Sequence, residues 1–379
     1  MHLYRTHLNL EHVIVITSTW TIQNTMLADF VKLALGDHHS LILKQDGSVW
    51  STALAARGVV PTVTNFVRVI PSGATALSAG PGFSVVLKQH GSVWAMGRNY
   101  YGQLGDGSRT RKAMFFFVHN IPGAQTVASG AGHTMVLTQQ GAVLVTGWNK
   151  YGQLGDGSTT DRSRFFVTIP GGVKAVAAGD GHSIVLQQDG SVWGTGRNSN
   201  GQLGDGSTLD RRSFVIVMPS GVTDVAAGGE YSMVLKQDGS VWTTGSNECS
   251  QLGDGSTTVR TNYFQVVMGG GTSIVAGKRH SMMLMEDGSV WATGQNKDGQ
   301  LGDGSTTMSK GFVQVIAAGV KAAAAGSVHS MIVKEDGSVW VTGSNKYGQL
   351  GDGSSAPKKS FAKLAPFGNG AKHTHVPMN

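Results

Sequence analysis

The sequence predicts an all-β fold, a seven-bladed β-propeller of four-stranded antiparallel blades, on three observations. The string Leu-Gly-Asp-Gly-Ser occurs six times, with its aspartate at Asp106, Asp156, Asp205, Asp254, Asp303 and Asp352, at intervals of 50, 49, 49, 49 and 49. A second string, Gly-x-x-His-Ser followed by an apolar run and Asp-Gly-Ser-Val-Trp, extends the count to seven. Its leading glycines are Gly36, Gly80, Gly130, Gly179, Gly228, Gly277 and Gly326. The third observation is composition: 55 of 379 residues are glycine, about double the usual share of roughly 7%.

That composition excludes several classes. Glycine does not recur every third residue and there are only 9 prolines, so collagen is out. Apolar residues make up 40% of the chain and eight are tryptophan, which can build a core and argues against a disordered linker. A helical bundle would lose about 1 kcal/mol at each interior glycine. Short strands joined by tight turns remain. Length alone suggests two or three domains, but a fixed period of 20–50 residues marks one repeated array.

Each element follows in order. Residues 1–29 form an N-terminal extension, and residues 30–364 a single propeller. Taking the fourth unit, Val173–Ala178 is a short apolar strand ending at Gly179. A turn at Asp180 and Gly181 leads to a second strand over 183–187 with alternating apolar residues. Asp189-Gly190 is a hairpin signal, followed by a third strand over 191–196 that carries Trp193. The loop RNSNGQLGDGST then leads to a fourth strand near 213–218. Seven such units in series close into a ring, which removes the exposed sheet edges. No strand like VKAVAA follows 360–364, whereas FVKLAL at 30–35 precedes Gly36. The N-terminal strand is therefore expected to complete the last blade. Residues 13–22 offer a further strand that competes with 360–364, and residues 365–379 read as a flexible tail.

These units resemble the repeats of the regulator of chromosome condensation family. The resemblance rests on Asn-x-x-Gly-Gln-Leu-Gly-Asp-Gly-Ser with Gly-x-x-His-Ser upstream, and it covers the chain from about Phe30 to Leu364. It implies a seven-bladed propeller. The family includes exchange factors for a nuclear small GTPase, the plant ultraviolet-B photoreceptor, ubiquitin-ligase modules and a bacterial β-lactamase inhibitor, so fold does not select the function. The photoreceptor's tryptophans lie in a Gly-Trp-Arg-His motif. Here the residue after the leading glycine is Asp37, Pro81, Ala131, Asp180, Gly229, Lys278 or Ser327, which argues against light sensing.

The repeated chemistry reads as structural. The loop aspartates and the hairpin aspartates Asp46, Asp189, Asp238, Asp287 and Asp336 hold their own turns by bonding backbone amides. Calcium needs six to eight oxygens in one site, and each loop supplies one carboxylate. His39, His133, His182, His280 and His329 recur in register with Phe83 and Tyr231 substituting. Each ring is expected to pack at the start of the second strand and bond a neighbouring backbone group. The tryptophans of the Ser-Val-Trp strands read as core. Cys249, the single cysteine, excludes an intrachain disulfide and points to a reducing compartment. No run of 18 apolar residues predicts a membrane helix. No cofactor and no metal site are expected, and the histidines His2, His7, His12, His373 and His375 near the termini are at most adventitious ligands.

Function is expected where a rigid repeat varies. The first-to-second and third-to-fourth connections share one face of a blade. On that face the partner-binding candidates are Asp37, His38, Asp180, Glu230, Lys278 and Arg279. The segments after each Leu-Gly-Asp-Gly-Ser are basic: Arg109, Arg111 and Lys112, Arg162 and Arg164, Arg211 and Arg212, then Arg260, Lys310, Lys358 and Lys359. Only Asp161 and Asp210 oppose them locally. Glu286, Asp287, Glu335 and Asp336 form an acidic sector on the other face. The first unit departs from the rest, reading STALAARGVVPTVTNF after Trp50.

The leading expectation is a monomeric, non-catalytic scaffold, cytoplasmic or nuclear, that binds a protein partner through the loop-rich face. Two alternatives stand beside it. The resemblance implies exchange activity on a small GTPase, although the 49-residue spacing leaves no room for a wedging hairpin. A polyanion binder would use the basic rim, and an enzyme degrading acidic polysaccharide would use Tyr231, His280 and Arg279.

Overall fold

The computed structural model describes residues 32–52 and 64–366. Within them, seven four-stranded antiparallel sheets follow one another along the chain, each with its strands in sequence order. Blades 1 to 7 span 32–70, 74–120, 124–169, 173–218, 222–267, 271–316 and 320–363. The first strand of each blade packs beside the first strands of its neighbours, so it lies innermost and the fourth strand outermost.

Blade 4 shows why the sequence folds this way. Val173–Ala178 pairs with His182–Gln187, ending at Ala178 opposite Ser183. Side chains alternate along a strand, and both faces of each blade are covered by neighbours. Ile184, Leu186 and Val192 pack with Val222, Val225 and Val234 of blade 5. The intervening Val185, with Val176, packs instead with Met135 and Leu137 of blade 3. The inner three strands are consequently apolar on both sides. The hairpin turns through Gly190 at φ 81°, closed by Gln187 N–H donating to Ser191 O at 2.8 Å. Asp189 Oδ1 accepts the Ser191 amide at 2.9 Å, as expected for a turn aspartate.

The tryptophans depart from the core reading. Trp50, Trp94, Trp193, Trp242, Trp291 and Trp340 are half-buried, and the preceding valines are the fully buried residues. Trp193 Nε1 donates to Ser191 Oγ at 3.0 Å, and the same bond recurs at Trp50, Trp242, Trp291 and Trp340. Lysines at the end of the second strand lie over several of these rings, Lys236 at 4.2 Å from Trp242. Five of the six indoles thus satisfy their N–H on a serine two residues earlier, whereas Trp94 Nε1 is buried without a partner among the described residues.

Ring closure also corrects the expectation. Lys32–Leu35 is the innermost strand of blade 1 and pairs with Ser40–Leu43. Blade 7 takes all four strands from 320–363. Counted from its innermost strand, every unit is complete in one pass, and among the described residues no strand is left over to exchange. The seam between blades 7 and 1 reuses the contacts of the other junctions, including a bridge from Asp352 to Asn65. The expected strand at 13–22, the extension 1–29, most of the divergent first-unit loop and the tail from 367 lie outside the described residues, as do the terminal histidines.

Candidate functional site

The loop-rich face is built from the Asn-x-x-Gly-Gln-Leu-Gly-Asp-Gly-Ser segments. In blade 4, buried Asn198 donates Nδ2–H to Asp205 Oδ1 at 2.9 Å and to Ser207 O at 3.1 Å, while its Oδ1 accepts Leu203 N–H at 2.9 Å. Asp205 Oδ1 also accepts the Ser207 amide at 3.0 Å. The loop then reaches across to blade 5, where Gly206 N–H donates to Thr261 O at 2.9 Å and Asp205 bridges to Asn262. Equivalent bridges run from Asp106, Asp156, Asp254, Asp303 and Asp352. The aspartate side chains therefore hold their turns, as the sequence implies, and the backbone of the same loop clasps the next blade.

The same aspartates correct the reading of the basic rim. Arg211 is held 2.6 Å from Asp205, Arg162 2.8 Å from Asp156, Arg260 2.7 Å from Asp254 and Lys112 3.2 Å from Asp106. Arg109 lies 3.6 Å from Asp161. Partial burial pushes the Asp205 carboxyl up, but the Arg211, Ser207 and Asn198 bonds outweigh it and hold it below the usual range. The loop aspartates, six residues upstream, oppose the rim, which the local sequence window missed. Arg111, Arg164 and Arg212 carry no ion pair among the described residues.

Of the in-register histidines, His133, His182, His280 and His329 are all at 0% exposure and His39 is half-buried. Each Nε2 meets a serine hydroxyl of the next blade, not a backbone group: His182 to Ser232 at 2.9 Å and His133 to Ser183 at 2.9 Å. Tyr231 substitutes in blade 5 by donating its hydroxyl to His280 O at 2.6 Å. Tyr231 is itself 0% exposed. A polysaccharide-degrading site using Tyr231, His280 and Arg279 is thereby excluded, since two of the three cannot reach a polymer.

Around the axis the seven leading glycines form a collar. A Cβ on Gly179 would lie 2.2 Å from the His182 ring and 2.6 Å from Gly228 O. Above the collar a cavity of about 40 Å³ is lined by Asp37, Pro81, Asp180, Gly229, Lys278 and Ser327 among others. Ser327 Oγ donates to Asp37 Oδ1. Burial raises the Asp180 carboxyl above its ordinary range, partly opposed by Lys278 and reinforced by Asp37 and Glu230. Glu230 is bound by Arg197 and, at 3.0 Å, by Asn200 Nδ2–H. Lys278 and Arg279 are exposed, with Arg279 Nη1 3.8 Å from Cys249 Sγ. His38 rests on Tyr347 at 4.3 Å between ring centroids. The six candidates thus share one face, and Asp37, Asp180 and Lys278 meet at its axis. No group of three His, Cys, Asp or Glu among the described residues is placed to hold a metal ion. No helix among them is long and apolar enough to cross a membrane.

Sequence reasoning missed a second feature on this face. Tyr101 stacks on Trp148 with centroids 5.3 Å apart, and Trp148 meets Tyr151 edge-on at 5.2 Å. Tyr100 is 64% and Tyr101 39% exposed. Arg197 and Lys150 each lie 5.5 Å from the Tyr151 ring, and Arg98 folds over Gly82. The signal was in the sequence. The third residue of the leading-glycine loop is Gly82, Gly132 or Gly181 in blades 2–4, but His38, Glu230, Arg279 or Val328 elsewhere. The same three blades expose Phe117, Val167 and Ile216 on their outer strands. These pair with Trp94, Leu144 and Trp193, where blades 5–7 and 1 place Gln265, Gln314, Lys363 and Arg68.

A family model described as the RCC1-like domain matches residues 125–377, well over half of the chain. The chain belongs to the RCC1-like domain family. Models of the regulator of chromosome condensation (RCC1) repeat match residues 90–137 and 74–103 as well. No curated protein matches the sequence. Among solved structures, human WBSCR16 is similar at TM-score 0.73 and 22% identity, covering 82% of this chain and 88% of that one. Yeast RCC1 (Prp20), solved bound to Kap60, is similar at TM-score 0.72 and 18% identity, over 80% of this chain and 79% of that one. Prp20p from Saccharomyces cerevisiae, described with its binding properties to Gsp1p and histones, gives TM-score 0.68 and 20% identity, covering 77% and 76%. At these identities the likeness is one of fold.

Proposed function

We propose that this RCC1-like propeller is a non-catalytic scaffold that binds a protein partner through its loop-rich face. The observation that carries it is a division of labour within the repeat. The repeated His side chains are spent on inter-blade bonds and the repeated loop Asp side chains on their own turns, whereas the residues that vary between blades converge on one open face. Asp37, Asp180 and Lys278 sit there on rigid, tightly clasped loops, the arrangement that favours recognition over turnover. The relatives described with Kap60, Gsp1p or histones are consistent with a protein ligand for this fold.

The test is affinity capture with the intact chain, followed by charge reversal on each face. Asp180→Lys with Lys278→Glu should release the captured partner, and Glu286→Lys with Glu335→Lys on the opposite face should not. The reverse pattern would overturn the reading. Accelerated release of fluorescent nucleotide from a small GTPase would instead establish the exchange activity that the resemblance implies. Retention on heparin to high salt would favour the polyanion alternative, which now depends on Arg111, Arg164 and Arg212.

A further inference from the structure

We propose that the aromatic platform of blades 2–4 binds a short acidic peptide segment that carries an aromatic or large aliphatic side chain beside its carboxylates. The proposal rests on the loop face being the partner-binding face and narrows it to one sector.

Three observations carry it. The first is the flat surface. Tyr101, Trp148 and Tyr151 run in contact across the junctions of blades 2, 3 and 4, with Tyr100 exposed beside them. Tyr and Trp at such a site give large contact area at low entropic cost and dominate binding energetics in protein interfaces. The second is what allows the rings to lie down. Gly132 packs beneath Tyr101 and Trp148, and Gly181 beneath Tyr151 and Arg197. A Cβ on Gly132 would stand 3.0 Å from both Tyr101 and Trp148. Blades 5–7 and 1 carry larger residues at that position, so the floor is confined to this sector.

The third is charge. Lys150 and Arg197 lie against the Tyr151 ring, Arg98 lies over Gly82 at the start of the loop that carries Tyr100 and Tyr101, and Glu230, the carboxylate facing Arg197, is already bound by Arg197 and Asn200. Arg98 and Lys150 carry no ion pair among the described residues. The surplus is positive, which favours carboxylates. A cationic segment is disfavoured, because Lys150 and Arg197 already flank the Tyr151 ring. A nucleic-acid strand needs cations continuing along its backbone. Here the axial side presents Asp37 and Asp180, and Arg162 and Arg211 on the rim are committed to Asp156 and Asp205. The rim cations of these blades with no ion pair among the described residues, Arg111, Arg164 and Arg212, add to the positive field, and an oligothymidylate arm of the test separates a strand from a peptide.

The probe is a fluorescein-labelled decapeptide of Asp and Glu around a central Phe, followed by anisotropy with the full chain. Arg98→Glu and Tyr101→Ala should each weaken binding by about tenfold or more. Tyr100→Ala, at a strongly exposed position, should weaken it several-fold without touching the fold. Trp148→Phe keeps a ring and should stay within about twofold, and Lys310→Glu on blade 6 should change nothing. Melting temperatures near the wild-type value separate lost binding from lost structure. Equal binding by the wild type, Arg98→Glu and Tyr100→Ala would overturn the proposal. So would binding as tight to a matching Lys/Phe peptide or to a labelled oligothymidylate. If a captured partner is released by Asp180→Lys with Lys278→Glu but the peptide ignores Arg98→Glu, the loop-face reading stands and the platform assignment falls. If the peptide behaves as stated but captured partners ignore the axial reversal, the platform stands and the axial reading falls.

Discussion

His329 Nε2 lies 2.8 Å from the hydroxyl of Ser40, joining residues 289 positions apart and tying blade 7 to blade 1. The Ser40 hydroxyl donates its proton to Gln349 O at 2.7 Å, so it must accept from the imidazole. That fixes a proton on Nε2. The same chain of Gln carbonyl, serine and histidine recurs at Ser183, Ser232 and Ser330. The Nδ1 atoms of His133, His182, His280 and His329 are buried without a partner, so a second proton would place an unpaired charge in the interior.

Acid should therefore unfold the ring at mild pH. Burial lowers His39, His133 and His280 to about 4 and His182 and His329 to about 3, in His329 with help from neighbouring histidines. A depressed folded value leaves stability intact above the unfolded value of about 6.5 and removes it as pH falls toward the folded value. Each ring contributes a slope of up to about 1.4 kcal/mol per pH unit in that window. Thermal melts followed by circular dichroism should show a flat melting temperature above pH 7 and a steep fall between pH 6 and 4. His280→Phe, which copies the Phe83 arrangement of blade 2, should fold and shallow the slope by about one proton. An unchanged melting temperature at pH 5 would rule out the neutral ring.

The glycine collar should tolerate no methyl group. Gly179→Ala brings Cβ to 2.2 Å from the His182 ring and 2.6 Å from Gly228 O, and we expect a loss above about 4 kcal/mol or no soluble protein. Gly311→Ala is the internal control. It meets nothing within 4 Å and lies in an outer strand, so it should be neutral or stabilising by up to about 1 kcal/mol. Urea denaturation of both variants checks the pair.

Asn198 should be worth more than any rim charge. Asn198→Ala leaves Asp205, Ser207 and Leu203 each short of a partner in a buried loop, for about 3 kcal/mol. Arg164→Ala, with no ion pair among the described residues, should stay within about 0.5 kcal/mol. Chemical denaturation with unchanged m-values would confirm both. Equal effects would mean that the loop is not the clasp.

Tyr231→Phe tests the substitution that blade 5 has accepted. The hydroxyl bonds His280 O at 2.6 Å and receives Ser281 Oγ at 2.9 Å, so its removal should cost about 1 kcal/mol and leave the fold intact. A loss of several kcal/mol would assign blade 5 a larger role in holding the ring.

These residues also show what is visible in a sequence. Asp189-Gly190 and Asp205 were legible because their work is local: a turn needs a positive φ or a side-chain acceptor two residues away. The bond from Asp205 to Arg211 is equally local, but it joins the motif to the segment after it, and the two read as separate features. What the sequence could not display is contact across a whole blade. Ser40 and His329 meet only once the ring is closed, and the other histidine nitrogens reach serines in the following blade. The glycines at 82, 132 and 181 are visible letters, but their meaning as a floor appears only when Trp148 is seen lying on it. The tryptophans misled for the opposite reason: their size suggests the interior, but the rings are half-buried and the preceding valines fill the core.

Because the seam is fastened by the same bridge that fastens the other clasped junctions, Asp352 to Asn65 as Asp205 to Asn262, the ring does not mark where its thread is cut. A gene rewritten to begin at blade 5 and run through the present seam to blade 4 should encode the same object. Such a circular permutant would meet only one new demand, a linker where blades 7 and 1 now touch without a peptide bond.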